Sequence, residues 1–354
     1  MKKARKLIVL LFAAVMIFSL AACGTKETPP SEDTSTTDTQ AEPIKLIFCN
    51  GNAEDNPLSV CLREFGAAFE EATDGRYEVE CHYAWSLGDD PTLAEMCRVG
   101  TVSGWFGVIN QGLVNYIPEF AATALPYIFR SWDEAYDYLN NSEYIQSLYQ
   151  KLEDEYNIHY VNTSLNGMRD LTTKNTPVYK PEDAHGLRIR CMTAPIWFDV
   201  MEVLGGTGVP IAFSELYVAM QTGVVDGQDN GIASVYEYKF YDVQKYLMKT
   251  DHGCTLTSFA INADIWNNMS AEDQETFERL YEEIGIKKYE EMMNDYYEEG
   301  YAAARAAGMT IIEQDQMDMQ AFYDAADEMI NEKYLDDPIY APMINDVRTY
   351  FNRE

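Results

Sequence analysis

Apolar residues recur along this chain with two periods, near 2 and near 3.6, and their alternation sets the expected architecture. Residues 44–49 read as a first strand. Asn56-Pro57 then starts a helical pattern that places Leu58, Cys61, Leu62, Phe65 and Phe69 on one face. Residues 77–83 form a second strand, Asp90-Pro91 opens another helix, and an apolar run covers 105–109. The segment 120–129, with Leu125-Pro126-Tyr127, reads as a buried extended stretch leading to a helix from Trp132. Strand character returns at 158–163. A second round begins at Gly186: a strand, a helix over about 195–204, the turn Gly205-Gly206-Thr207-Gly208, and a short strand to Ile211.

Residues 255–261 supply one more strand, and Ser270 then stands as an N-cap before Ala271-Glu272-Asp273. The pattern beyond it, through Phe277, Leu280, Ile284, Met292, Tyr296 and Tyr301, reaches Gly308. At 1.5 Å per residue such a helix spans roughly 50 Å or more, longer than one small domain. It is expected to run along two domains. Residues 308–312 add a strand, and the C-terminus is helical. Strands alternating with helices predict an α/β chain with mainly parallel sheets.

The N-terminus sets the compartment. Lys2, Lys3, Arg5 and Lys6 precede an apolar run, 7–20, that closes on Leu20-Ala21-Ala22-Cys23. A basic start, a short apolar core and small residues at the cut describe a secretory leader, 1–22, too short for a dependable membrane span. The closing residues resemble a bacterial lipobox, which would make Cys23 the lipidated first residue, held by acyl chains alone. From Gly24 to Pro43 the chain holds Thr, Ser, Glu, Asp and Pro without a large apolar residue, as in a disordered tether. The rest is long enough for two ordinary domains.

A formal net charge of -32 argues against nucleic acid or an anionic membrane surface as the main partner. It leaves room for a locally positive cleft. Cys49, Cys61, Cys81, Cys97, Cys191 and Cys254 form no Cys-x-x-Cys pair and no metal-finger spacing. A disulfide pairing cannot be read from them.

The candidate chemistry concentrates between Gly186 and Asn230. In Leu187-Arg188-Ile189-Arg190 the arginines alternate with apolar residues, as on a half-buried strand. A guanidinium at a strand end is held rigidly and presents a planar fork that matches a carboxylate. The turn Val225-Asp226-Gly227-Gln228-Asp229-Asn230 offers further polar groups. This is the chemistry of recognition rather than of bond breaking.

These residues carry a resemblance to a family. Gly167-Met168-Arg169, Gly186-Leu187-Arg188-Ile189-Arg190, Phe213-Ser214-Glu215-Leu216-Tyr217, Ala219-Met220-Gln221-Thr222, Val225 to Asn230, and Lys239-Phe240-Tyr241-Asp242-Val243-Gln244-Lys245 resemble, in order and spacing, the DctP-type solute-binding subunits of tripartite ATP-independent periplasmic (TRAP) transporters. Weaker agreement covers the rest of the mature chain. The resemblance implies a two-domain clamshell with crossover strands, domain I being 44–166 plus 256–295 and domain II 167–255 plus 296–354. It implies a monomer without a cofactor that closes on a small organic acid, a sugar acid such as a uronate or a C4-dicarboxylate, and delivers it to TRAP membrane subunits. Arg190 would pair with the ligand carboxylate, Arg169 would reach the ligand or support the cleft, Asn230 would line it, and Phe213 would pack on the ligand body. Looser matches are Asn50 and Asn110; Thr193, three residues past Arg190, should also face the cleft, at a position where members differ. Sialate-binding members have glutamate where Asn110 stands, which points away from sialate. Trp197 is a further candidate cover for an apolar face.

Other readings remain weaker on the residues themselves. Asp226, Asn230, Gly231 and Glu237 fall at positions one, five, six and twelve of a calcium loop, but Gln228 occupies position three, where Asp or Asn is expected. No Gly-x-Ser-x-Gly or His-Glu-x-x-His motif is present, and His82, His159, His185 and His252 stand in unlike contexts. A secreted, lipid-anchored hydrolase is the alternative from the enzyme class; a ligand-binding subunit serving a sensor would carry the same cleft.

Overall fold

A computed structural model describes residues 42–353, with the side chains of Leu165 and Asn166 left aside. The leader 1–22, Cys23 and the tether up to residue 41 lie outside the described residues.

Among the described residues nine strands form one continuous sheet: β1 (Ile44–Asn50), β2 (Tyr77–His82), β3 (Gly104–Val108), β4 (Ile158–Thr173), β5 (Arg188–Cys191), β6 (Thr207–Pro210), β7 (Gly227–Asp229), β8 (Tyr246–Asn262) and β9 (Thr310–Ile312). Their order is β2-β1-β3-β8-β4-β7-β5-β6, with β9 against β8. Parallel pairing prevails inside each half, between β1 and both β2 and β3, and between β5 and both β6 and β7. Antiparallel pairing joins the halves through β4 and β8, which run side by side across both. The result is a two-lobed α/β clamshell, and the two crossover strands are its spine.

Those two strands are longer than their alternation predicts. The 158–163 pattern continues to Thr173, and 255–261 extends back to Tyr246. Register shifts interrupt the pair between Tyr160 and Asn162, Leu165 and Met168, and Arg169 and Leu171. A bulge inserts a residue and breaks the inside–outside alternation, so the strand persists where its pattern does not. Gly167 at φ +81° and Asp251 at φ +44° mark the same crossing.

The expected extended run at 120–129 is instead helical at its start. Pro118–Ala124 forms a 3-10 helix, with Pro118 at its first position and buried Phe120 beneath. Proline fixes φ at a helical value and lacks only an N–H that a first turn leaves free, so the segment winds. The helix from Trp132 begins as expected.

Helix ends follow their caps. Asn56 Oδ1 accepts from the Leu58 N–H at 3.0 Å at the start of Pro57–Ala72. The apolar face of that helix is buried at every expected position. There Phe65 meets Phe277 edge-on at 4.8 Å, and Phe48 of β1 meets Phe259 of β8 at 5.4 Å. Ser270 Oγ accepts from the Asp273 N–H at 3.1 Å, opening a continuous helix over 271–306. Its middle, Tyr281–Lys288, widens to a π turn. Ser164 of β4 packs against this segment: its hydroxyl meets both Tyr281 Oη, at 2.9 Å, and the Gly285 carbonyl, at 3.3 Å. No helix among the described residues is long and apolar enough to cross a membrane. The six cysteines described are free thiols.

Asp90, next to its helix cap, is buried and accepts from Trp105 Nε1 at 3.1 Å. Burial pushes its carboxyl up to about 7, although the Trp105 and Val108 hydrogen bonds oppose the rise. The folded chain therefore keeps a proton that the unfolded chain releases near pH 4, so this group's contribution to stability falls as pH rises from about 4 through 7. Asp90→Asn is expected to raise the melting temperature by roughly 2–4 °C at pH 8 and to leave it unchanged at pH 4. Parallel melting curves at both pH values would check this, and an equal shift at both would refute it.

Candidate ligand-binding site

Arg190 sits on β5, and its Cα partner on β7 is Gln228. Its side chain is 3% exposed. Nε donates to the Ile211 carbonyl at 2.9 Å, and the guanidinium lies over the Phe213 ring at 5.6 Å from its centroid. Among the described residues it has no carboxylate partner within 4.0 Å. Burial lowers its guanidinium from the ordinary arginine value; Asp229 opposes that fall, and Arg169 adds to it. Arg188, two residues earlier on the same strand face, is exposed and pairs with Asp226 at 3.0 Å. Depth along the strand, from its exposed start to its buried end, thus separates a surface ion pair from a buried, unpaired cation.

Arg169 lies on β4 opposite Gly253 of β8, in the stretch where the register shifts. It is committed to Asp229: Nε donates to Oδ2 at 2.8 Å, and a terminal nitrogen donates to the Asp229 carbonyl at 2.7 Å. Trp197 backs the other face of that guanidinium at 5.1 Å. His252, also buried, places Nε2 3.4 Å from Asp229 Oδ2 and Nδ1 2.8 Å from Thr250 Oγ1. Burial would raise Asp229, but Arg169 and His252 outweigh it and hold the carboxyl at about 2.

Asn230 is buried and donates Nδ2 to Gln228 Oε1 at 2.5 Å, while Gln228 donates to Thr172 Oγ1 at 2.9 Å. Phe213 stands edge-on to Tyr238 at 4.8 Å. These residues, with both arginines, form one wall. Asn50 and Asn110 belong to the other lobe, at the ends of β1 and β3. Asn50 Oδ1 accepts from the Asn52 N–H and from Ser59, whereas its Nδ2 is buried without a protein partner. Asn110 Oδ1 is likewise buried and unpartnered. The adjoining Gln111 Nε2 lies 3.2 Å from Met192 Sδ, bringing this segment against the loop after Arg190. Thr193, in that loop, is exposed and stands apart from the contacts of the wall.

A family model described as bacterial extracellular solute-binding protein, family 7 (DctP) matches residues 48–337. The chain belongs to this family. A family 7 protein similar to it, the C4-dicarboxylate-binding periplasmic protein DctP of Rhodobacter capsulatus, is 29% identical over 279 residues, 76% of this chain and 80% of that one. A TRAP periplasmic solute-binding protein of Sulfitobacter sp. NAS-14.1, solved with β-D-galacturonate, superimposes with a TM-score of 0.78 at 24% identity, covering 87% of this chain and 99% of that one. Another, from Roseobacter denitrificans with 3-deoxy-D-manno-oct-2-ulosonic acid, gives a TM-score of 0.77 at 25% identity, over 87% and 99%. Family 7 proteins are extracytoplasmic solute-binding subunits of TRAP transporters and are not enzymes.

The calcium-loop spacing is accounted for by this framework. Its residues form a strand, Gly227–Asp229, and a helix, Ile232–Glu237, rather than one loop. Asp226 is turned to Arg188, and Glu237 is turned to Asn56. Asp229 and His252 are the site residues that sequence patterning did not single out. In this family 7 chain Asp229→Asn should lower the unfolding free energy by about 3 kcal/mol, because it strands the buried Arg169 charge. Urea denaturation with an unchanged m value would confirm it, and Arg169→Met in the same chain should recover part of the loss. Parental stability in Asp229→Asn would contradict the pairing.

Proposed function

We propose that this protein captures a small sugar acid, such as a uronate, through a pair between Arg190 and the ligand carboxylate, and hands it to the TRAP membrane subunits. One observation carries the reading: Arg190 is a buried guanidinium with no acidic partner. A buried charge is costly unless compensated, and a guanidinium is best compensated by a carboxylate that takes two parallel hydrogen bonds. Phe213 beneath it supplies an apolar face for the body of the same ligand.

The other wall favours hydroxyl-bearing acids. Asn50 Nδ2 is a free donor and Asn110 Oδ1 a free acceptor, the complement of a hydroxyl group that accepts and donates. A C4-dicarboxylate would prefer a second cation, but Arg169 is already neutralised by Asp229. Two similar solved structures were determined with sugar acids, in line with this preference. Asn230 belongs to the framework of the wall through Gln228, and Thr193, which is exposed, would tune specificity on this reading. The lobes divide, on this reading, as 44–166 plus 256–295 and 167–255 plus 296–354, and lipidation at Cys23 would keep the protein at the membrane face.

Calorimetry of the mature protein with D-galacturonate, D-glucuronate, succinate and neutral D-galactose tests the proposal. The uronates are expected to bind and the neutral sugar is not. Arg190→Ala should weaken uronate binding by about a hundredfold or more, since two charge-assisted hydrogen bonds are lost, with an unchanged circular dichroism spectrum. Arg190→Lys should also bind more weakly, because a point charge does not reproduce the fork. Parental affinity in Arg190→Ala, or tighter binding of succinate than of either uronate, would overturn it.

A further inference from the structure

Glu237 ends the helix Ile232–Glu237 in one lobe, and its carboxylate reaches the loop after β1 in the other. Oε2 accepts from Asn56 Nδ2 at 3.0 Å, and Oε1 faces the Ala53 N–H at 3.4 Å. Asn56 is simultaneously the cap of the helix Pro57–Ala72 and is 5% exposed. Its Oδ1 also accepts from Asn52 Nδ2 at 3.1 Å, and the Asn52 N–H donates to Asn50 Oδ1 at 2.8 Å. On the opposite side Glu237 adjoins Tyr238, whose ring meets Phe213, the ring under Arg190. A single carboxylate therefore joins the segment bearing Asn50 to the aromatic support of Arg190.

We infer that Glu237 is a positioning residue, a clasp that holds the two lobes together over a bound acid and slows its release. This rests on the cleft assignment above. The chemistry suits the task. A carboxylate only accepts, both partners opposite it are N–H donors, and hydrogen bonds to a charged group are among the stronger ones. The crossover strands and the long helix join the lobes permanently, whereas this contact lies between side chains and loops that can part. The surroundings add little competing charge: Asp55 and Lys239 are the charged neighbours, and Tyr236, Tyr238, Tyr241, Tyr289 and Tyr296 the other titratable ones. Asp55, Tyr236, Lys239, Tyr241 and Tyr296 border a cavity of about 290 Å³ beside the clasp. Burial raises the Glu237 carboxyl above its ordinary value, and the Ala53 and Asn56 hydrogen bonds oppose that rise.

Stopped-flow kinetics with D-glucuronate as the probe reads the clasp directly. Glu237→Ala should speed dissociation about tenfold or more with little change in the association rate. Asn56→Asp keeps the helix cap but sets two carboxylates face to face, so release should be fast at pH 7 and slow again toward about pH 5, where one of them takes a proton. A purely structural role would give no such pH profile. Hydrogen exchange at the Ala53 amide needs no ligand: protection in the parent that is lost in Glu237→Ala supports the clasp, and equal exchange in both overturns it. Parental release rates in both variants also overturn it. A parent that protects Ala53 yet binds no uronate would remove the sugar-acid reading and leave the clasp in place.

Discussion

Asp229 can neutralise one guanidinium, and the arrangement of the sheet decides which. The carboxylate sits at the end of β7 between two arginines, one on β4 and one on β5, and it is fully buried. Arg169 takes its Oδ2 and its backbone carbonyl, with His252 on the same oxygen. Arg190 is left with a carbonyl and an aromatic face. Had Asp229 turned to Arg190, the cleft would hold a satisfied ion pair and no reason to admit an anion. In the proposed function, the division of one negative charge between two positive ones is what would create the site. It also neutralises Arg169, whose guanidinium is held by two hydrogen bonds to Asp229 and lies over Trp197, an arrangement that suits the supporting role proposed for it.

That division depends on the crossover strands. Arg169 reaches Asp229 from the part of β4 where the register with β8 shifts, opposite Gly253. The long helix carries its own irregularity at the level of Ser164, whose hydroxyl contacts the Gly285 carbonyl within the π segment. Both kinds of lobe connection thus depart from regular geometry in the same neighbourhood. Irregular backbone there has fewer repeating hydrogen bonds to break when two lobes rotate, which is the property a hinge requires.

Much of this was legible in the chain, for reasons that can be named. Helices with a clean stripe and a proper cap, such as Pro57–Ala72 and the one after Ser270, appear where their pattern puts them. The crossover strands were seen only in part, because bulges break the period on which strand recognition rests. Arg190 stood out through alternation with Ile189, and the structure buries both. Its neighbours were harder. Asp170 follows Arg169 directly and invites a pairing, yet adjacent strand residues point to opposite faces, so the true partner lies sixty positions away. With 58 acidic residues in the chain, no single aspartate signals its own role. His252 is informative only once β8 is seen to carry it beside β7.

On the proposed reading Arg190 would set the class of ligand but not its identity, since any carboxylate satisfies the fork equally. Identity must come from groups on the opposite lobe, where Asn50 and Asn110 hold a buried donor and a buried acceptor without protein partners. An acid that pairs with Arg190 alone gains the same energy whether the lobes are apart or together, and so does nothing to shift them. An acid whose hydroxyls also meet the two asparagines gains more when the lobes are together. Selectivity and closure are then one quantity, the difference in affinity between the two states, and it is read at the asparagines rather than at the arginine.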